Sequence, residues 1–297
     1  MRRVRILAVI IGLSLSPVLA GDTAAQAWTQ ARGDYYGKFF TSYLFATEEL
    51  DFQGDRQEIF ASRLSVTGAW FRDVSYTGYV EYGLTDRYTI VATAPLKILT
   101  TRETQIIGPG LPPVRVTRTL GGVADLWTSL RGQILLEPIA LSAQAGVKIP
   151  LGYEENPVEN GQPLPPLGTA HVDGEIHVYV GKSLYPLTGY ISAGIGYRLR
   201  GGRLNDEVVY NVESGYTLGP VFLKLRLDGV ENTKNPPDLS SPTNNAIVGD
   251  QDWLKLNPVS SYSLTERFSI GFELFHVLVG KNTLAQTTYA LSAVVTR

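Results

Sequence analysis

The sequence predicts an all-β protein, a transmembrane antiparallel up-and-down β-barrel of the outer-membrane type with about 12 strands. Three observations lead there. An export leader opens the chain, period-two runs with one purely apolar face recur after it, and short turns alternate with long loops along its whole length.

The leader is MRRVRILAVIIGLSLSPVLAGD, with Arg2, Arg3 and Arg5 ahead of an apolar run from Ile6 to Leu15 and a small-residue site at Val18-Leu19-Ala20. That is the layout of a secretory signal peptide, and the run is too short for a spanning helix, which needs ~20 residues. Residues 1–20 are read as signal peptide, with cleavage after Ala27 as a second choice. Residues 21–33 are read as a periplasmic segment and 34–297 as the barrel. The chain holds 26 basic and 28 acidic residues; losing the three leader arginines leaves 23 basic residues and a net charge of −5, which argues against nucleic acid as partner. A mean hydropathy of +0.00 is what lipid-facing and lumen-facing residues in alternation average to. With no cysteine, stability must come from a closed hydrogen-bond ladder rather than from disulfides.

The clearest unit is Gly121 to Gly152. Ile139, Leu141, Ala143, Ala145, Val147 and Ile149 share one parity, and Ala140, Ser142, Gln144, Gly146 and Lys148 the other. Before the break at Glu137-Pro138, Ala124, Leu126, Leu130 and Ile134 oppose Asp125, Trp127, Ser129, Arg131 and Gln133. Successive strand residues point to opposite faces, so this is a hairpin with one lipid face and one charged face. Its strands match the ~9–11 tilted residues that cross a bilayer.

The other elements follow the same logic. Asp34 to Phe45 is an aromatic-rich first strand, and Glu48 to Asp73 is less regular: a polar tip, DFQGDRQE, is followed by IFASRLSVTGAWF, read as an extended strand above the membrane in preference to a short amphipathic helix. From Val74 a clean strand runs to the GLTDR turn, and Tyr88 to Ile98 returns from it. Thr100 to Thr119, with IIGPGLPP inside, is read as a long loop because Pro and Gly interrupt a strand. After the organising hairpin comes a second long loop, Leu151 to Thr169, then strands at Ala170–Lys182, Gly189–Arg200, Glu207–Leu218 and Val221–Asp228. A third loop, Glu231 to Asp250, precedes Trp253–Leu264, Phe268–Val279 and Leu284–Thr296. In outer-membrane barrels the short turns are periplasmic and the long loops extracellular, which places both termini in the periplasm. A soluble β-sandwich also alternates, but it accounts neither for the leader nor for a charged face opposite an unbroken apolar one.

Glu81 to Arg87 (EYGLTDR), Gly122 to Leu130 (GVADLWTSL) and Gly146 to Gly152 (GVKIPLG) occur in the order in which similar phrases recur in the MetA-pathway phenol-degradation family of bacterial outer-membrane barrels. The chain resembles that family over most of its mature length. The resemblance implies a barrel that passes small hydrophobic or aromatic compounds, and it brings no catalytic residue. One departure is the end of the chain, which closes on Arg297 rather than on the aromatic residue usual in a C-terminal assembly signal.

Inward parity collects Lys38, Glu81, Lys97, Asp125, Arg131, Lys148, Asp173, Glu175, His177, Arg198, Glu213, Lys224, Arg226, Asp228, Lys255 and Glu273 as pore-lining residues. They line either a narrow polar path or a lumen filled with ion pairs. Small residues on the same parity, among them Ser129, Ser142, Gly146, Gly194 and Gly196, favour the path. Any selectivity is expected in a band of Arg131, Lys148, Asp173, Glu175, Lys224 and Arg226. A hydrolase would need Ser and His in contact on a shared face; His276 is on the lipid face with no serine two or four positions away, so the chain is read as no enzyme. Asp173, Glu175 and His177 spread over ~13 Å of strand, too far for one metal ion. No cofactor is expected. The expected partners are outer-membrane lipids, the barrel-assembly machinery and a small permeant, and a structural or adhesive barrel acting through its long loops is the rival reading.

Overall fold

The computed structural model describes residues 26–60, 66–235 and 247–297. The leader at 1–20 lies outside the described residues. Thirteen segments build the wall: β1 Tyr35–Ala46, β2 Val66–Thr85, β3 Tyr88–Gln105, β4 Val114–Val123, β5 Asp125–Leu135, β6 Ala140–Pro150, β7 Asp173–Ser183, β8 Gly189–Leu199, β9 Glu207–Leu218, β10 Val221–Asn232, β11 Asp252–Ser263, β12 Phe268–Lys281 and β13 Thr287–Thr296. Both β4 and β5 pair with β3, end to end, and form one course of the wall, so the barrel has 12 strands. It closes through β1, which pairs with β2 on one side (Tyr36 opposite Glu81) and with β13 on the other (Tyr36 opposite Thr296). Every wall pairing is antiparallel, and closure leaves no strand edge, the condition for β-structure in lipid.

The faces follow the parity of the sequence. Along β10, Leu223, Leu225 and Leu227 are 46, 50 and 37% exposed while Phe222 between the turn and Lys224 is 2% exposed. Leu291 at 67% and Ile176 at 64% show the same outward face on β13 and β7. These exposed aliphatics are the lipid-facing band, since an apolar surface of this extent has no place in water.

Two readings are corrected. The stretch Thr100–Thr119 is mostly strand, not loop: Thr100 pairs with Thr119 and Gln105 with Val114, so only 106–113, the IIGPGLPP tip, is unpaired. β2 is extended in the same way down to Val66, and together they raise a three-stranded flap beyond the lipid band. Both faces of the flap meet water or loops, which is why Thr, Arg and Glu alternate there without an apolar parity. The second correction is Ala124, expected among the lipid-facing residues and in fact 1% exposed. Between β4 and β5 the inward parity changes from even (Arg118, Gly122) to odd (Asp125, Arg131), so Ala124 and Asp125 both turn inward at an irregularity whose N–H is met by the Pro95 carbonyl at 2.9 Å. The stretch 48–73 follows its strand reading where it is described: β2 begins at Val66, and Glu48–Leu50 and Arg56–Glu58 join Thr283–Leu284 in a small separate sheet at the loop end.

The loop end of the barrel is capped from within. Ile59, Ala69, Phe71, Leu99, Leu167 and Leu284 form a buried apolar cluster, with Ile247 and Tyr153 packed against it. Leu167 comes from the long loop after β6, so that loop folds into the barrel mouth. A cavity of about 310 Å³ remains among the loops above it.

Candidate functional site

The lumen is the candidate site, and it is filled from both ends. From the turn end, residues 26–31 thread into the barrel. Ser142 Oγ donates to the Gln26 carbonyl at 3.1 Å, Gln133 Nε2 to the Ala27 carbonyl at 3.1 Å and Arg131 Nη1 to the Trp28 carbonyl at 3.1 Å. On the far wall Asn211 Nδ2 donates to Gln26 Oε1 at 2.9 Å, and the Trp28 ring meets Tyr190 edge-on at 5.8 Å. Gln30 donates to Glu81 Oε2 at 3.0 Å. The segment therefore crosses the lumen from β5 and β6 to β8 and β9. Part of the stretch expected to lie in the periplasm is, from Gln26 onward, packed inside the wall. Gly181 makes this possible, since a Cβ there would lie 2.5 Å from the Trp28 ring.

The charged residues form three ion-pair groups rather than one band. Near the turn end Glu81, 0% exposed, takes Arg131 Nη2 at 3.1 Å and the Tyr79 hydroxyl at 2.5 Å. Arg131 also holds Gln144 at 3.0 Å and faces the Tyr179 ring. In the middle Arg226 binds Asp228 at 2.5 Å and approaches Glu213 at 3.8 Å, Tyr190 donates to Glu213 at 3.0 Å, and Lys38 pairs with Glu273. At the loop end a chain of pairs runs from Lys148 through Asp173 (2.7 Å), Arg200 (3.2 Å), Glu207 and Arg198 (2.7 Å) to Glu175 (3.1 Å), with His177 3.3 Å from Glu175. Asp125 joins this end through Lys148 at 4.0 Å and through the Tyr153 hydroxyl; burial and that hydrogen bond push the Tyr153 phenol above its ordinary value. Lys97 reaches the Leu167 carbonyl at 3.2 Å, and Lys255 lies over the Trp253 ring at 4.0 Å. Lys224 has no ion-pair partner among the described residues; it borders a pocket in the wall.

Small lumen residues do not leave open space. The Tyr179 and His177 rings stack at 5.4 Å and 6°, and they lie flat over Gly194 and Gly196, where a Cβ would approach them to 2.3 and 2.5 Å. A central cavity of about 260 Å³ is left between the inserted segment and the cap, bordered by Arg131, His177, Arg226, Asp228 and Trp253. Sequence reasoning passed over Asp73, Glu103, Arg118, Arg200 and Glu207. Arg118 and Glu103, paired at 2.8 Å, lie in the flap that reads as a loop, and Arg200 and Glu207 flank a short loop. Tyr79 and Tyr179 share inward parity with Glu81 and His177, a signal that was present.

Among the irregularities in the described wall pairings, one between β11 and β12 adjoins a pocket. β11 and β12 pair from Leu256 opposite His276 and again from Val259 opposite Glu273, but no ladder pair forms at Asn257 and Pro258. Pro258 has no N–H to donate. Asn257, 4% exposed, spans the gap with its side chain, Nδ2 to the Leu274 carbonyl at 2.6 Å. Beside it is a largely apolar pocket of about 490 Å³ in which lipid-facing Leu223, Leu225, Phe272 and Leu274 meet inward-facing Tyr190 and Lys224. His276 lies just past the gap on the outer face, its Nδ1 2.7 Å from Thr287 Oγ1.

No family model matches the chain, and no curated protein matches it. Among solved structures it is similar to the COG4313 outer membrane channel from Pseudomonas putida F1, at 12% identity and a TM-score of 0.67, over 93% of this chain and 100% of that one. It is more distantly similar to the toluene transporter TbuX of Ralstonia pickettii (10% identity, TM-score 0.46, 90% of each chain) and to the CymD monoaromatic hydrocarbon channel (7%, 0.45, 90% and 89%). The fold is that of an outer-membrane channel.

Proposed function

We propose that this chain is an outer-membrane channel for small hydrophobic or aromatic compounds, and that they pass through the side of the barrel rather than straight down it. The two positions without ladder pairs, Asn257 and Pro258, and the pocket beside them carry the reading. A hydrophilic solute needs a continuous wet path, and this lumen is crossed by residues 26–31 and filled by ion pairs. An apolar solute needs only contact between the lumen and the lipid, and the pocket beside these positions is lined by residues of both faces. The name toluene transporter belongs to one similar structure and monoaromatic hydrocarbon channel to another; the largely apolar lining of the pocket here supports assigning the same permeant class to this chain. The resemblance to the MetA-pathway phenol-degradation barrels, the leader at 1–20 and partnership with outer-membrane lipids and the assembly machinery belong to this reading.

The test uses the absence of native cysteine. Counting from the flanking pairs, Pro258 faces Leu274 across the gap, and opposed antiparallel positions have Cα atoms ~4.5–5.5 Å apart, within disulfide range. Pro258→Cys with Leu274→Cys, oxidised, should stop accumulation of a labelled monoaromatic in cells bearing the protein, and reduction should restore it. Uptake that is equal in the oxidised and reduced states refutes the sideways route.

A further inference from the structure

We infer that a small cavity beneath the apolar cap is a headgroup site, which takes the carboxylate of a small acid between Lys97 and Lys255 while the cap receives the acid's apolar body. The inference rests on the channel reading above and narrows its permeants to those with an anionic head.

The cavity is about 130 Å³, and its wall joins Lys97, Lys255 and Asp73 to Leu44, Phe71 and Leu99. It lies in the loop half of the barrel. Lys97 comes from β3 and Lys255 from β11, each directed inward by the parity of its strand. Neither lysine has an acid within ion-pair distance among the described residues. Lys97 donates to one neutral carbonyl, that of Leu167, and Lys255 has only the face of Trp253. The nearest acids are engaged elsewhere. Asp228 is opposite Lys255 in the ladder but is bound by Arg226 at 2.5 and 2.7 Å, and Asp73 takes the Ser75 hydroxyl at 2.5 Å.

Two lysines and a single carboxylate, that of Asp73, border one cavity, so basic groups outnumber acidic ones in its lining. An unmatched charge away from bulk water is costly, so the site favours an anion. It has no rigid fork of donors for a phosphate, and its lysines act as point charges, which suits a monoanion. The size is consistent: a cavity of roughly 150 Å³ holds one benzene ring, so this one takes a carboxylate with the first atoms of its body. Trp253 borders the central cavity, so a head bound at Lys255 is next to the space through which the rest of the lumen is reached.

The experiment uses the full chain in detergent micelles and three probes of one size: 4-nitrobenzoate, neutral 4-nitrotoluene and cationic 4-nitrobenzylammonium. Quenching of tryptophan fluorescence is the readout, because Trp253 is under the Lys255 head. The carboxylate should quench saturably, with most of the signal lost in Trp253→Phe. Lys255→Met should weaken its binding at least tenfold, Lys255→Arg should keep it, and neither should alter 4-nitrotoluene. Heat-shifted migration in gel electrophoresis shows which variants are folded, and the ranking of the three probes on the unaltered chain stands even if a variant is not. Equal binding of the neutral and anionic probes, tighter binding of the cation, or an unchanged Lys97→Met/Lys255→Met variant overturns the site. If neutral aromatics are still taken up by cells in that event, the channel reading stands without the headgroup site; if none is taken up, the channel reading falls as well.

Discussion

Arg131→Met tests the filled lumen most directly. Glu81 is 0% exposed and has Arg131 as its one ion-pair partner among the described residues. The substitution leaves Glu81 with donors from Tyr79 and Gln30 but with no countercharge. Removing one member of a buried pair costs about 3–5 kcal/mol, and the loss of Gln144 and of the Trp28 carbonyl adds to it. Glu81→Gln added to Arg131→Met should recover part of that cost, since the stranded charge is gone. The midpoint of guanidinium unfolding in micelles reads the cost. Single-channel conductance reads something a wall contact alone would not move: Arg131 Nη1 anchors residues 26–31, so the variant should conduct ions more readily than the parent. Unchanged midpoint and unchanged conductance together would show that neither the pair nor the inserted segment closes the barrel.

Two further substitutions test the faces. Leu225→Arg should cost about 2–4 kcal/mol near the bilayer midplane, whereas Lys224→Leu, inward on the same strand and without an ion pair, should be far milder; equal costs would sink the assignment of lipid and lumen faces. Gly194→Ala puts a methyl 2.3 Å from the Tyr179 ring, so it should lower the unfolding midpoint and weaken the His177–Tyr179 stack; an unaltered midpoint would mean the ring moves aside without penalty.

The barrel was legible in the sequence because lipid imposes a rule on every second residue, and runs such as Val221–Leu227 obey it without exception. The rule ends where the lipid ends. Thr100–Gln105 and Val114–Thr119 are paired strands with polar residues on both parities, so nothing distinguished them from loop except the pairing itself. Ala124 was placed on the lipid face by parity, but a small apolar residue fits either face, and the shift between β4 and β5 turns it inward. The inserted segment was hidden for another reason. Gln26 to Gln30 have no periodicity, and their partners Gln133, Ser142 and Asn211 are more than a hundred residues away. Parity says nothing of which charges meet, because partner choice depends on strand stagger; of the six residues expected to form one band, five divide among three ion-pair groups and Lys224 joins none among the described residues.

The break at Pro258 is better explained as a device than as a flaw. A carbonyl left without a donor in hydrocarbon costs several kcal/mol, and a proline in a central strand is normally excluded for that reason. Here the bond that a backbone N–H would make is replaced by one from the Asn257 side chain, which reaches Leu274 from inside the wall. A ladder bond can be broken only by moving a strand; this one can be broken by rotating a side chain, with the backbone of β11 still held by β10 at Leu225 and Arg226. On the sideways route proposed above, the wall would open here while β11 stays paired with β10. Lys38 of β1 pairs with Glu273 of β12 beside these positions, so β12 is held from the lumen side as well as by its ladder with β13.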